Sequence, residues 1–154
     1  MQYCQSVVTI YIPVKVTEIQ SSAFRGCKYL TRIEIPPNSK LQTIDSNAFD
    51  GCLSLESISI PAGVKFIGDN TFSSCKSLTT VVIATGVKSI GSNAFSQCIS
   101  LSLIMIPTSV MYIGENAFQS CSSLRTVTIP ASVVTIGKTS TYYLLNYHHR
   151  YYYR

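Results

Sequence analysis

The chain has 154 residues, 46% apolar and only 12% charged, which is enough for one domain with a real core and leaves little ionic surface. Its net charge of +5 is unevenly placed: residues 1–137 hold nine basic and seven acidic side chains, while 138–154 add Lys138, Arg150 and Arg154 with no acid. The body is nearly neutral, so no nucleic-acid footprint is expected on it, and no apolar run approaches the ~18 residues of a membrane span.

In chain order, Cys4, Val7, Ile10, Ile12 and Pro13 come first, and Cys27, Leu30, Ile33, Ile35 and Pro36 repeat them 23 residues later. Met1 stands where Phe24 stands in the next unit. Phe24, Phe49, Phe72, Phe95 and Phe118 are each followed three residues on by a cysteine (27, 52, 75, 98, 121) and three further by a leucine (30, 55, 78, 101, 124). Alternating pairs come next: Ile33/Ile35, Ile58/Ile60, Val81/Ile83, Ile104/Ile106 and Val127/Ile129. Proline closes all of these but the one ending at Ala84. A Val-x-x-Ile segment follows at 64/67, 87/90, 110/113 and 133/136, with Leu41/Ile44 shifted by a two-residue insertion around Pro37-Asn38. Gly68, Gly91, Gly114 and Gly137 end it, with Asp45 standing in once, and Asn47, Asn70, Asn93 and Asn116 precede the next Phe. The register runs from residue 1 to about 137, roughly five and a half units.

The period-two stretch predicts strands near 31–35, 56–60, 79–83, 102–106 and 125–129, all but the third stopped by a proline that cannot donate to a ladder. Glycine is expected to supply the positive φ of a tight turn. The three-residue apolar spacing that follows predicts a short helical or 3₁₀ turn with Asn as its N-cap. Leu30, Ile33, Ile35, Phe49, Cys52, Leu55, Ile58, Ile60, Phe72, Cys75, Leu78, Ile83, Phe95, Cys98, Leu101 and Ile106 share one phase and are expected to be buried. One such coil cannot bury its own apolar face, so only the stack folds. Residues 1–137 therefore read as a repeat solenoid, and residues 138–154 as a Tyr-rich basic tail outside the pattern.

The pattern Leu-x-x-Ile-x-Ile-Pro-x-x-Val-x-x-Ile-Gly-x-x-Ala-Phe-x-x-Cys resembles the BspA-like leucine-rich repeats of bacterial and parasitic-protist surface proteins. That resemblance covers residues 1–137. It implies a right-handed coil with a parallel concave β-sheet, short convex strands and short helical or 3₁₀ turns. It also implies an adhesin-like, protein-binding role with no catalytic residues.

The residues themselves point the same way. Six cysteines at one repeat position form a row about 4.8 Å apart. In-register side chains run parallel and away from disulfide geometry, so they are expected to stay reduced as small interior hydrophobes. No Cys-x-x-Cys pair suggests zinc, and no metal or other cofactor is expected. His148 and His149, the only histidines, lie in the tail, so no Ser/His/Asp or Cys/His set can be assembled in the body. Glu34 and Glu56 on neighbouring rungs read as solvated partners of Arg32 and Arg125, not as a catalytic pair. An enzyme is not expected. The tail reads as a cap or frayed extension, with Arg–Tyr stacking on single strands the lesser reading.

Outward strand positions are where binding is expected, since each rung adds side chains to one face: Tyr11, Arg32, Glu34, Ser57, Thr80, Val82, Leu103, Met105 and Thr126. Val82, Leu103 and Met105 are apolar on adjacent rungs. They are either scattered exposed hydrophobes or a contact patch. The expected partner is a protein whose identity the residues do not carry. An alternative is self-association through an uncapped N-terminal coil, using Val7, Ile10 and Ile12. Met1-Gln-Tyr-Cys lacks a basic then apolar leader, which reads as cytoplasmic for this sequence, or as cell-surface if the natural start lies upstream.

Overall fold

The structure, a computed structural model, describes Cys4 and residues 6–138. The chain winds as a solenoid of two parallel sheets joined by turns. The first sheet takes one strand from each of the first five coils: β1 (Thr9–Tyr11), β3 (Arg32–Glu34), β5 (Ser57–Ile60), β7 (Thr80–Ile83) and β9 (Leu103–Met105). The second takes the Val-x-x-Ile segments: β2 (Glu18–Ile19), β4 (Thr43–Ile44), β6 (Phe66–Ile67), β8 (Ser89–Ile90), β10 (Tyr112–Ile113) and β11 (Thr135–Ile136). Equivalent residues pair coil to coil, as in Ile10 with Ile33 and Val81 with Ile104, so the 23-residue period becomes the sheet register. The two-residue insertion at Pro37-Asn38 is absorbed in a turn, and Ile44 still pairs with both Ile19 and Ile67.

Each repeated apolar position becomes a column through the core. Phe24, Phe49, Phe72, Phe95 and Phe118 stack with ring centroids 5.3–5.7 Å apart and planes within 9° of parallel. Leucines, isoleucines and valines from both sheets fill the rest of one continuous core. Of the residues expected inside, only Ile35 and Ile106 are half-buried. Their strands β3 and β9 end one residue earlier, at Glu34 and Met105, whereas β5 and β7 run on to enclose Ile60 and Ile83.

The third side of the coil corrects three expectations. No α- or 3₁₀-helix forms among the described residues. The stretch instead carries two left-handed residues four apart: Asn47, Asn70, Asn93 and Asn116 at φ 54–59°, and Gly26, Gly51, Ser74, Gln97 and Ser120 at φ 59–73°. Asparagine is there because it tolerates that conformation better than other side chains, not as an N-cap. The N–H groups of Asn70, Phe72 and Ser74 donate to the Ser92, Ala94 and Ser96 carbonyls of the next coil, each at 2.8 Å. Those of Ser73 and Cys75 turn back to Asn70 and Phe72 within their own coil.

The repeated glycines also differ from the expected turn residues, because Gly68, Gly91, Gly114 and Gly137 do not have positive φ. A Cβ at any of them would lie 2.4–2.6 Å from backbone atoms of the preceding coil. They are glycine because adjacent coils approach too closely there for a side chain.

The last expected strand is absent. Residues 125–129 keep the alternation, with Val127 and Ile129 buried and Thr126 and Thr128 exposed, but form no ladder with β9. In this register the next coil places Arg150 at an inward position, and that residue lies outside the described residues, as does the rest of the tail from 139 onward.

Candidate functional site

Four of the six cysteines, 52, 75, 98 and 121, are buried and unbonded in one column. Each thiol donates to the carbonyl of the phenylalanine in the coil before it: Cys52 to Phe24 (3.2 Å), Cys75 to Phe49 (3.3 Å), Cys98 to Phe72 (3.1 Å) and Cys121 to Phe95 (3.0 Å). Phe49, Phe72 and Phe95 also accept the N–H of the cysteine in their own coil. The column thus needs a small apolar group with one weak donor, which only cysteine supplies. Burial pushes Cys52 and Cys121 up to about 12 and Cys75 and Cys98 well above the ordinary thiol range. Thiols held protonated are poor nucleophiles and poor metal ligands.

Cys4 and Cys27 break the expectation of six reduced thiols, since they are joined as a disulfide across Cα atoms 4.9 Å apart. The rung-to-rung spacing lies within a disulfide's range, and in this first pair the in-register direction of the side chains does not prevent the bond. The carbonyl that Cys27 would meet in this pattern belongs to residue 1, outside the described residues. Among the described residues no group of three or more His, Cys, Asp or Glu side chains could hold a metal ion. No helix there is long and apolar enough to cross a membrane.

The outward positions of the first sheet lie where alternation puts them. Thr9, Arg32, Ser57, Thr80 and Leu103 form one row by strand register. Beside it Tyr11 pairs with Glu34, and Ser59 with Val82 and on to Met105. The face divides into two zones. At β1–β5, Tyr11, Arg32, Glu34, Glu56, Ser57 and Pro37 border an open depression of about 810 Å³. Arg32 pairs with Glu34 at 3.1 Å there, both exposed to solvent, a geometry of small energetic weight. At β7–β9, Val82, Leu103 and Met105 are 49%, 52% and 67% exposed on adjacent rungs. Thr126 is exposed but sits on the segment without a ladder, so hydrogen bonding does not tie it to this face.

At the first coil Val7 and Ile10 are half-buried, and with Phe24 they border an open hollow of about 860 Å³. Ile12 departs from expectation: at 4% exposure it belongs to the core, since its alternation points it between the two sheets.

Sequence reasoning passed over the second sheet's outer face. Phe66, Met111, Tyr112 and Val134 are 42–78% exposed there, beside Lys65 and Lys88. The signal was present: the two middle positions of Val-x-x-Ile hold Thr, Glu, Ser, Gln or Lys in most coils and turn apolar in these.

The same repeat geometry recurs in known proteins. A model of the BspA-type leucine-rich repeat region matches six copies, over residues 1–104 and 42–149. Among solved structures, a leucine-rich repeat protein from Bacteroides ovatus is 38% identical, with a TM-score of 0.77 over 85% of this chain and 36% of its own. The T. pallidum leucine-rich repeat protein is 28% identical (TM-score 0.75), covering 86% of this chain and 69% of that one. A leucine-rich cell surface protein from Faecalibacterium prausnitzii is 34% identical (TM-score 0.63), covering 83% and 40%. The chain therefore spans about a third of the Bacteroides protein and two-fifths of the Faecalibacterium one. Among curated proteins none matches. With the family model spanning nearly the whole chain and the fold shared with these solved relatives, the chain belongs to the BspA-type leucine-rich repeat family.

Proposed function

We propose that this solenoid is a non-catalytic scaffold that binds another protein through the outer face of its first sheet, in an adhesin-like role. The observation that carries the reading is the run of Val82, Leu103 and Met105. Three large apolar side chains lie exposed to water on two neighbouring rungs, Val82 in register with Met105 and Leu103 beside Met105 on the same strand, where polar residues occupy most equivalent places. A contiguous apolar patch with a polar surround is the usual make-up of a protein contact. Tyr11, Arg32, Glu34, Ser57, Thr80 and Thr126 would supply the surrounding polar contacts. Leucine-rich repeat proteins are generally non-catalytic, and one solved relative is described as a cell surface protein, which supports display outside the cell. No nucleic acid, cofactor or membrane insertion enters this reading.

The test is binding of labelled chain to epithelial cell layers and to immobilised extracellular-matrix proteins, comparing wild type with Leu103→Ser/Met105→Ser. Loss of binding at unchanged thermal stability supports the reading. Unchanged binding moves the site off this sheet. A second reading, assembly of copies through the first coil, rests on the hollow lined by Val7, Ile10 and Phe24. Concentration-dependent sedimentation abolished by Ile10→Lys is its signature.

A further inference from the structure

The positive charge of the solenoid is concentrated on one side. Residues 6–138 contain ten basic and seven acidic side chains. Lys15 and Lys40 lie in the turns leading into β2 and β4, and Lys65 and Lys88 each lie one residue before β6 and β8. Against these four stands Glu18 alone, in the first coil. The other six basic side chains share the first sheet and the turn side with six acidic ones, and two ion pairs form there, Arg32 with Glu34 and Arg25 with Asp50. None of the four lysines makes an ion pair among the described residues. They are exposed, and Lys65 and Lys88 stand on adjacent rungs about 4.8 Å apart, close enough to repel.

Immediately beyond Lys88 in the same row stand Met111 and Val134. Their backbones are tied rung to rung, since the Met111 N–H donates to the Lys88 carbonyl (2.9 Å) and the Val134 N–H to the Met111 carbonyl (2.8 Å). Tyr112 lies beside them, 42% exposed. The second face is therefore a narrow strip whose earlier rungs carry the lysines, with Phe66 exposed beside Lys65, and whose later rungs are apolar and partly aromatic without a charge.

We infer that this strip docks an extended polypeptide segment in which acidic residues are followed by apolar ones, a second contact surface on the opposite sheet from the one proposed above. Charge complementarity selects the acidic part, and the exposed Met111, Tyr112 and Val134 select the apolar part. The strip is two to three residues wide, which suits a linear partner. The lysines stand on the earlier rungs and the last two outward pairs carry none, so a polyanion would leave Met111, Tyr112 and Val134 uncovered. The chain's own tail is a poor occupant, because residues 138–154 are basic with no acid.

The probe is a fluorescein-labelled peptide of four glutamates followed by Phe-Leu-Phe, titrated with the full chain at low salt and read by anisotropy. Three comparisons accompany it: the same glutamates followed by Gly-Ser-Gly, a heparin fragment, and phosphatidylserine vesicles. The acidic–apolar peptide is expected to bind about tenfold more tightly than the acidic-only one and to weaken as salt rises. Lys65→Glu/Lys88→Glu and, separately, Met111→Ser/Tyr112→Ser should each weaken it by about tenfold at unchanged thermal stability. Leu103→Ser/Met105→Ser should leave it unchanged, which separates this surface from that of the first sheet. Equal binding of the acidic-only peptide or of heparin would replace the inference with a polyanion surface. Tighter binding to the vesicles would replace it with a lipid surface. Absence of saturable binding to the acidic–apolar peptide would overturn it.

Discussion

Gly91 and Met105 lie in neighbouring coils and answer to opposite constraints. A Cβ on Gly91 would come within 2.6 Å of the Gly68 carbonyl carbon and the Asp69 carboxylate, so that position admits one residue type. Met105 is 67% exposed on the first sheet and its side chain extends into solvent. The same contrast runs the length of the solenoid. Turn side and interior repeat because close approach, left-handed backbone and a shared carbonyl leave no choice. The sheet faces vary because nothing in the fold dictates them. A partner can therefore be accommodated on the faces without disturbing the stack.

The largest expected effect is on the constrained side. Gly91→Ala should destabilise the chain by about 3–5 kcal/mol in chemical denaturation, in the range of severe packing clashes, because the obstructing atoms include backbone. Gly26→Ala is the control: a Cβ there meets nothing within 4 Å, and only its φ of +73° opposes the change. Its cost should be about 1–2 kcal/mol. Equal costs would mean that the neighbouring coil yields to a Cβ and that lack of space does not fix the glycine column.

Next is the cysteine column. A thiol raised to about 12 in the folded chain, as for Cys52 and Cys121, still titrates near its ordinary value of 9.0 when unfolded. Above that lower value the unfolded chain loses protons that the folded chain keeps. Stability from this source is complete below pH 9 and falls as pH rises toward 12, by about 1.4 kcal/mol per pH unit for each thiol. Denaturation midpoints between pH 8 and 11 check this, and a flat profile would show the thiols to be solvent-accessible. Cys75→Ala, which removes the donor to Phe49, should cost about 1–3 kcal/mol. It should also shallow the pH slope.

Smaller still is the effect at the left-handed asparagines. Asn70→Ala places a Cβ-bearing residue without a local polar partner at φ 54° and should cost about 1 kcal/mol. Asn70→Gly should be within about half of that, because glycine adopts the conformation freely. If Gly proves as costly as Ala, the asparagine side chain, and not its backbone, holds the turn.

Much of this is legible in the amino-acid sequence. Phe24 to Phe118 and Cys27 to Leu124 recur in phase, so the coil, the strand positions and nearly the whole core follow from periodicity alone. What periodicity hides is why a residue recurs. Gly91 recurs through lack of space and Asn70 through left-handed φ, yet both look like ordinary turn residues in sequence. The thiol-to-carbonyl bonds of the cysteine column span 26 or 28 residues and leave no mark beyond the cysteine itself. End effects are hidden for a different reason: Cys4 and Cys27 share their column's spacing, and residues 125–129 share their strand's alternation. Each depends on a neighbouring coil whose contribution the pattern alone does not reveal. On the faces, Val82, Leu103 and Met105 stand out as departures from polar neighbours. Met111 and Tyr112 do not, because the shorter segment is recognised by its inward Val and Ile and its outward pair goes unweighed.

The claim that ties these observations together is that the first sheet's face binds while contributing nothing to the fold. It is tested most directly by Leu103→Ser/Met105→Ser, measured for thermal stability and for affinity in the proposed cell-layer and matrix-protein binding assay. Unfolding free energy should stay within about 0.5 kcal/mol of wild type, as for exposed positions, while affinity falls by about tenfold or more. A folded double variant that binds like wild type, or one that loses stability in step with affinity, would contradict it.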